Sequence, residues 1–339
     1  MTARSRFIDF APGNDASVRL LKTDIEIFQL LQEFPYLALP YIGELLGYAK
    51  KTYVQNGKPV VRYPTLRARL ARLRKDGGYL QCPAASWSAS NSRYRPAVYA
   101  LTPKGKALLK EKGLFKPSFK LGNDFAHDFA SCLIPASFRI GVLANPALRY
   151  ITGREMLDHP KCPPNTRDAV EPFVIPVSYY HRNQRVEAHK EHDWEPFGIA
   201  LNLSGGKERK ILFPGHEFDR DTEPLGTDNV HRTSMTRHLL SILALLDRGY
   251  EKHLGTDRFF VPIVTIGEQR MRGIIRLLLK LTEGKGSKHI LFKHINDFSS
   301  YASFPPATGH MLTKPWERAG HEPFDILDAL GARAKEATE

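Results

Sequence analysis

The sequence is poor in cysteine and has no long apolar run, and each absence excludes a class of protein. Its three cysteines, Cys82, Cys132 and Cys162, lie far apart in 339 residues, which argues against a disulfide framework or a zinc cluster. No apolar run approaches the roughly 20 residues of a membrane-spanning helix. Residues 1–10 mix charged and apolar side chains, unlike a signal peptide. We therefore expect a cytoplasmic protein with no membrane contact.

Motifs for nucleotide binding and nucleophilic catalysis are also missing. The chain has no P-loop, no dinucleotide-binding glycine motif and no Cys/His pair in a catalytic context. Its composition, 42% hydrophobic and 25% charged, is typical of a folded globular chain. At this length, two domains are the natural expectation.

Acidic residues are scarce in the first third of the chain. Residues 1–120 contain 21 lysines and arginines against 8 acidic residues, whereas residues 121–339 contain 28 of each. The whole net charge of +13 therefore belongs to the first segment. A positive field confined to one module favours phosphate binding, because neutralised phosphates release condensed counterions. The alternative is a solubilising surface.

Helical spacing of apolar residues predicts three helices in this basic segment. They cover residues 24–34, 40–48 and 65–76, and a polar loop covers residues 50–62. The first helix would begin at Thr23 as N-cap, with Glu26 completing a capping box. Two strands, 79–82 and 97–101, would then form a hairpin with a basic tip. The order of elements predicts a winged helix-turn-helix.

The third predicted helix carries the strongest functional signal. Three leucines form one narrow apolar stripe, while basic residues and small alanines occupy the other faces. Small residues between long basic ones let a helix approach a groove closely while guanidinium groups reach bases or phosphates. The alternative is a surface helix with solvated arginines, but its place before a basic hairpin favours DNA contact. The predicted DNA-binding residues are Thr65, Arg67, Arg69, Arg72, Arg74, Lys75, Arg93 and Arg95.

The remainder of the chain alternates between strand and helix patterns, which predicts an α/β domain around a mixed sheet. The predicted strands are 173–180, 197–203, one from residue 210, 259–266 and 289–293, and the predicted helices are 125–144, 233–250 and 269–281. The first of these helices would be kinked or broken at Pro135. We therefore expect a winged-helix domain over 1–120, an α/β domain over 121–298 and a peripheral extension over 299–339.

Carboxylates cluster around two predicted strands of the second domain. If the strand from residue 210 resumes after Pro214 and Gly215, Glu217 and Asp219 point to the same face. Either Asp193 or Glu195 would meet them at one edge. Such a cluster could hold Mg²⁺, which prefers oxygen ligands and lowers the pKa of a bound water. The alternative is a set of surface carboxylates with matched bases.

Short motifs in both domains resemble the replication-relaxation proteins of bacterial plasmids and related mobile elements. The similar segments are residues 24–31, 66–73, 98–105 and 217–223, spread over roughly residues 20–280. The resemblance implies a plasmid- or nucleoid-associated DNA-binding protein, a homodimer, and contact with replication or conjugation machinery. It also implies a second domain similar to a PD-(D/E)XK nuclease.

The sequence departs from the active nuclease pattern in two places. His192, not proline, precedes the candidate first carboxylate Asp193, and Asp219 stands where active nucleases have lysine. Lys207 or Lys210 would have to supply the missing cation. The expectation is therefore a sequence-specific duplex-binding protein with an inactive nuclease-like domain. A Mg²⁺-dependent endonuclease or nickase and a transcriptional repressor remain the alternatives.

Overall fold

The chain forms two compact units in a computed structural model. The described residues are 18–55, 58–84, 97–115, 122, 124–202, 211–226, 233–299 and 304–332. Unit 1 comprises those within 1–140 and 300–308, and unit 2 those within 141–299 and 309–332. None of the helices in these ranges is long and apolar enough to cross a membrane.

Unit 1 combines helices with a small antiparallel sheet. Its elements are α1 (Lys22–Glu33), β1 (Leu37–Ala38), α2 (Leu39–Leu45), β2 (Lys51–Gln55), β3 (Lys58–Arg62), α3 (Pro64–Lys75), β4 (Leu80–Gln81), β5 (Val98–Leu101), α4 (Pro103–Glu111) and most of α5 (Phe125–Leu143). The central strand β5 pairs antiparallel with β1 on one side and β4 on the other. The helix α5 continues through Pro135 without a break in its helical assignment.

The predicted apolar stripe of the third helix is confirmed. Leu66, Leu70 and Leu73 of α3 are completely buried, since their spacing places them on one side of the helix. The predicted N-cap of the first helix is wrong. The helix α1 begins after Leu21, because the Asp24 carboxylate accepts a 2.6 Å hydrogen bond from the Leu21 amide.

The loop predicted over residues 50–62 is also wrong, because these residues form a hairpin. The strands β2 and β3 pair antiparallel, with Lys51 opposite Arg62 and Thr52 opposite Val61. The segment contains β-branched residues on both sides of Asn56-Gly57, a dipeptide that strongly favours a hairpin turn. The hairpin was not predicted because the polar composition of residues 50–62 is also typical of a loop.

Unit 2 is an α/β unit around one large mixed sheet, as the sequence predicts. Its elements are β6 (Leu148–Ile151), α6 (Gly153–Leu157), α7 (Pro164–Arg167), β7 (Ile175–His181), β8 (Gln184–Lys190), β9 (Gly198–Leu201), β10 (Ile211–Pro214), β11 (Glu217–Asp219), α8 (Met235–Ala244), a π-helical turn (Leu245–Gly249), α9 (Tyr250–Leu254), β12 (Phe259–Thr265), α10 (Glu268–Leu281), β13 (Ile290–His294), a 3₁₀ turn (Asn296–Ser299), α11 (His310–Thr313), β14 (Trp316–Arg318), β15 (His321–Phe324) and α12 (Ile326–Leu330).

The strand β12 is the centre of this sheet. All seven of its residues are buried, which confirms the predicted strand with two covered faces. The strands β10, β11 and β13 run parallel to it, and β14 and β15 continue the sheet antiparallel beyond β13. The segment predicted as a peripheral extension therefore contributes two strands, and its Trp316 is completely buried.

Candidate nucleic-acid interface and carboxylate cluster

The helix α3 presents a basic face to solvent. Arg67, Arg72 and Lys75 are exposed, together with Thr65 near its first turn and the small Ala68. Within the ranges that the structure describes, no acidic side chain forms an ion pair with these three cations. The exposed face therefore carries positive charge that no acidic side chain of the described residues compensates. The small Ala68 side chain also lets a ligand come close to the helix backbone.

Arg69 has a different role from its neighbours on α3. Its Nε atom donates a 2.7 Å hydrogen bond to Oδ1 of the fully buried Asp24, and its Nη2 atom donates to the other carboxylate oxygen and, at 2.8 Å, to the Arg19 carbonyl. The hydrogen bond with Asp24 raises the pKa of Arg69 further. This pair connects α3 to α1, so we assign Arg69 to the packing of unit 1.

Arg74 also points away from the exposed face. It is half-buried, and its Nη1 atom lies 3.4 Å from the Cys82 sulfur just beyond β4. Of the predicted DNA-binding residues, the structure thus groups Thr65, Arg67, Arg72 and Lys75 on one surface. The predicted Arg93 and Arg95 lie outside the described residues.

Acidic residues are absent from the whole stretch that leads into this surface. From Leu45 to Lys75 the sequence has nine lysines and arginines and no aspartate or glutamate. This stretch includes the β2–β3 hairpin, whose Lys51 and Arg62 are exposed. Sequence reasoning missed the hairpin as a candidate contact, although its charge pattern is visible in the sequence.

In unit 2, the strand from residue 210 does resume after Gly215. Phe213 pairs with Phe259 in the parallel register, and Glu217 pairs with Ile263, so the offset between the strands is unchanged across the break. Glu217 and Asp219 are two residues apart on β11 and both are buried. The predicted resumption is therefore confirmed, and the pleat places both carboxylates on one face.

Glu217 is the acceptor of a buried hydrogen-bond network. Lys190, at the end of β8, donates a 2.7 Å bond to its Oε2 atom, and His192 Nδ1 contacts Oε1. The other ring nitrogen of His192 lies 2.5 Å from the Tyr250 hydroxyl. Burial is the largest influence on the pKa of Glu217 and raises it, but the Lys190 charge and the contact with His192 together outweigh burial, so the pKa lies below its ordinary value.

Tyr250 lies at the far end of this network. Burial and the Glu217 charge raise the pKa of Tyr250 well above its ordinary value, so its hydroxyl stays protonated in the hydrogen bond with His192 Nε2. Because Glu217 is ionised and can only accept, His192 Nδ1 donates to it. Gly215 makes room for this ring, because a Cβ atom there would lie 2.6 Å from His192 Nε2.

Asp219 is held by a different cation. Arg270 of α10 donates two parallel hydrogen bonds to it, of 2.7 Å and 2.9 Å, and only 8% of the arginine side chain is exposed. The same guanidinium lies 3.1 Å from Asp221 and donates to the Glu223 carbonyl. Burial lowers the pKa of Arg270, but the hydrogen bonds to Asp219 and the charges of Asp219, Asp221 and Glu223 together outweigh burial and raise it.

The other two predicted carboxylates, Asp193 and Glu195, lie next to the backbone of β11 and the start of α6. Asp193 Oδ2 accepts a 2.6 Å hydrogen bond from the Phe218 amide, which closes the free edge of β11. The exposed Glu195 lies against Gly153 at the start of α6. Across the part of the chain that the structure describes, no three His, Cys, Asp or Glu side chains are grouped to hold a metal ion.

The cation beside Glu217 is not one that the sequence predicted. Lys207 and Lys210, the candidates for a replacement of the missing nuclease lysine, lie outside the described residues. Lys190 contacts Glu217 instead, from a strand, β8, that the sequence analysis left unassigned. Comparison of the chain with family models, with curated proteins and with solved structures gives no match.

Proposed function

We propose that the chain binds double-stranded DNA with sequence preference by placing α3 in the major groove. The arrangement of unit 1 supports this reading. Three helices precede and flank a three-stranded antiparallel sheet, and β4 and β5 would be the two strands of a wing. In such a winged helix-turn-helix the third helix is the one that reads base edges.

The observation that carries the proposal is the exposed, uncompensated charge on one face of α3. Arg67, Arg72 and Lys75 face solvent without an acidic partner among the described residues, so phosphates need not compete with an internal carboxylate. The exposed Ala68 leaves the helix narrow between two arginines, which suits insertion into a groove.

For unit 2 we propose a non-catalytic role in dimerisation or in contact with replication or transfer machinery. Its two central carboxylates already have cationic partners from the chain itself, Lys190 for Glu217 and Arg270 for Asp219. A metal ion would have to displace both buried partners, which is costly because each would leave an uncompensated charge. The pairing supports the absence of DNA cleavage, and the process that we propose for the duplex binding is a plasmid- or phage-type replication, relaxation or transfer system.

A selection from random duplexes, followed by titration, tests the proposal. We expect a preferred sequence that the purified protein binds more tightly than random DNA, and at least a tenfold loss of affinity in Arg67→Ala/Arg72→Ala, since each specific contact is worth about 1–3 kcal/mol. The matched control is Arg276→Ala/Lys280→Ala, which removes two exposed charges from α10. Equal losses in both variants, or no binding at low salt, would contradict the proposal.

Incubation of the same protein with supercoiled plasmid and Mg²⁺ or Mn²⁺ separates binding from cleavage. We expect binding without nicking. Nicking that disappears in Glu217→Ala/Asp219→Ala, and not in the α3 variant at saturating protein, would instead identify unit 2 as a nuclease.

A further inference from the structure

The β2–β3 hairpin is a two-stranded ribbon whose two faces carry different side chains. It has no role in the function proposed above. Residues directly opposite each other in the register share a face, and successive residues alternate. One face therefore carries Lys51, Tyr53 and Arg62, and the other carries Thr52, Val54 and Val61. We call the first of these the basic face of the ribbon.

Both faces of the ribbon are open to solvent. Tyr53 is 45% exposed, Val61 43% and Val54 79%, and Lys51 and Arg62 are exposed as well. The Arg62 guanidinium carbon lies 5.4 Å from the centre of the Tyr53 ring, which holds the cation over an aromatic surface. The basic face therefore exposes an aromatic ring next to two cations, a combination suited to contact with an anionic partner.

The ribbon is fixed at its base, next to the start of α3. Tyr63, which follows β3 and precedes the helix, is buried, and its hydroxyl donates a 2.5 Å hydrogen bond to Glu44 Oε1. Lys50, which precedes β2, donates a 2.9 Å bond to the same oxygen. Gly43 makes room for the tyrosine, since a Cβ atom there would lie 2.5 Å from the Tyr63 ring. Both ends of the ribbon are thus tied to α2.

We propose that the ribbon is a second DNA-contacting element, with the phosphates and sugars of the duplex beside the α3 site as its occupant. Lys51 and Arg62 bind phosphates, and Tyr53, further along the same face, packs against the adjacent sugar-phosphate backbone. The inference rests on the proposed function. Charge complementarity favours DNA, because residues 50–62 contain four lysines and arginines and no acidic residue.

The salt dependence of duplex binding tests the ribbon directly. In Lys51→Gln/Arg62→Gln we expect the slope of log affinity against log salt to become less steep by about 1–2, since each phosphate contact contributes about 0.9. Hydroxyl-radical protection should disappear on one side of the bound sequence, while the preferred sequence is retained. The control, Lys106→Gln/Lys112→Gln, removes two exposed lysines at α4 and should leave slope and protection unchanged.

A second variant tests the aromatic contact without changing charge. Tyr53→Ala should lower affinity several-fold with an unchanged salt slope, because stacking and packing release no counterions. Unchanged slope and protection in the double variant, together with unchanged affinity in Tyr53→Ala, would overturn the ribbon assignment and leave α3 binding intact. A wild-type protein that binds no duplex would instead remove the proposed function itself.

Discussion

The exposed face of α3 and the carboxylate cluster of unit 2 both contain several cationic side chains. On α3 these cations are exposed to solvent, whereas in unit 2 they are buried and paired with carboxylates. Arg67 and Arg72 lie in water without an acidic partner among the described residues, whereas Lys190 and Arg270 are each 8% exposed and bonded to a carboxylate. A solvated cation is available to a phosphate, while a buried and paired cation is not. The same residue types therefore indicate binding in one place and architecture in the other.

The same difference between paired and solvent-exposed cations occurs within the single helix α3, where Arg69 is the paired one. It lies two positions after Arg67 and three before Arg72, yet it is bonded to the fully buried Asp24. Its place in the sequence pattern is indistinguishable from that of its neighbours. The difference arises from a carboxylate on another helix, α1, and only the folded chain brings the two together.

The largest expected effect comes from removing the cation of the unit 2 network. Lys190→Ala should lower the free energy of unfolding by about 3–5 kcal/mol, because Glu217 would be left buried and uncompensated. Chemical denaturation measures this change. The double variant Lys190→Met/Glu217→Leu is the control and should be much less destabilised. Equal effects in the two variants would mean that packing, not charge, dominates here.

A slightly smaller loss is expected when the internal pair of α3 is broken. Arg69→Ala should cost about 3 kcal/mol of stability, since Asp24 would lose its partner, while the fully folded protein should keep its DNA affinity within about twofold. Thermal denaturation and duplex titration of the same sample measure both effects. A stable variant with greatly reduced affinity would assign Arg69 to the interface instead.

A smaller loss of stability is expected in unit 2 at acidic pH, where the buried His310 becomes protonated on unfolding. Burial lowers the pKa of His310 to about 4, so its contribution to stability is complete above its unfolded value of 6.5 and is lost as pH falls through about 4. We expect a loss on the order of 2 kcal/mol over this window, which His310→Gln should reduce. Denaturation midpoints between pH 7 and pH 4 measure it. A pH-independent midpoint in the wild type would contradict the burial argument.

Periodic patterns predicted the local elements well. The leucine stripe of α3 and the apolar run of β12 are determined by residues within one element, so their burial followed from spacing alone. The resumption of the strand at Glu217 followed for the same reason.

Partners distant in sequence could not be predicted in this way. Asp24 meets Arg69, and Lys190 meets Glu217, only because packing joins separate elements. The ribbon was missed for another reason. The dipeptide Asn56-Gly57 is a sequence signal for a turn, but the lysines near it gave the segment the composition of a loop.

The salt dependence of duplex binding tests the account most directly. For the preferred duplex, log affinity against log salt should be steeply negative for the wild type and less steep by about 2 in Arg67→Ala/Arg72→Ala, at about 0.9 for each lost phosphate contact. The Arg276→Ala/Lys280→Ala control should keep the wild-type slope. An unchanged slope in the α3 variant would contradict the claim that its exposed, uncompensated arginines are what hold DNA.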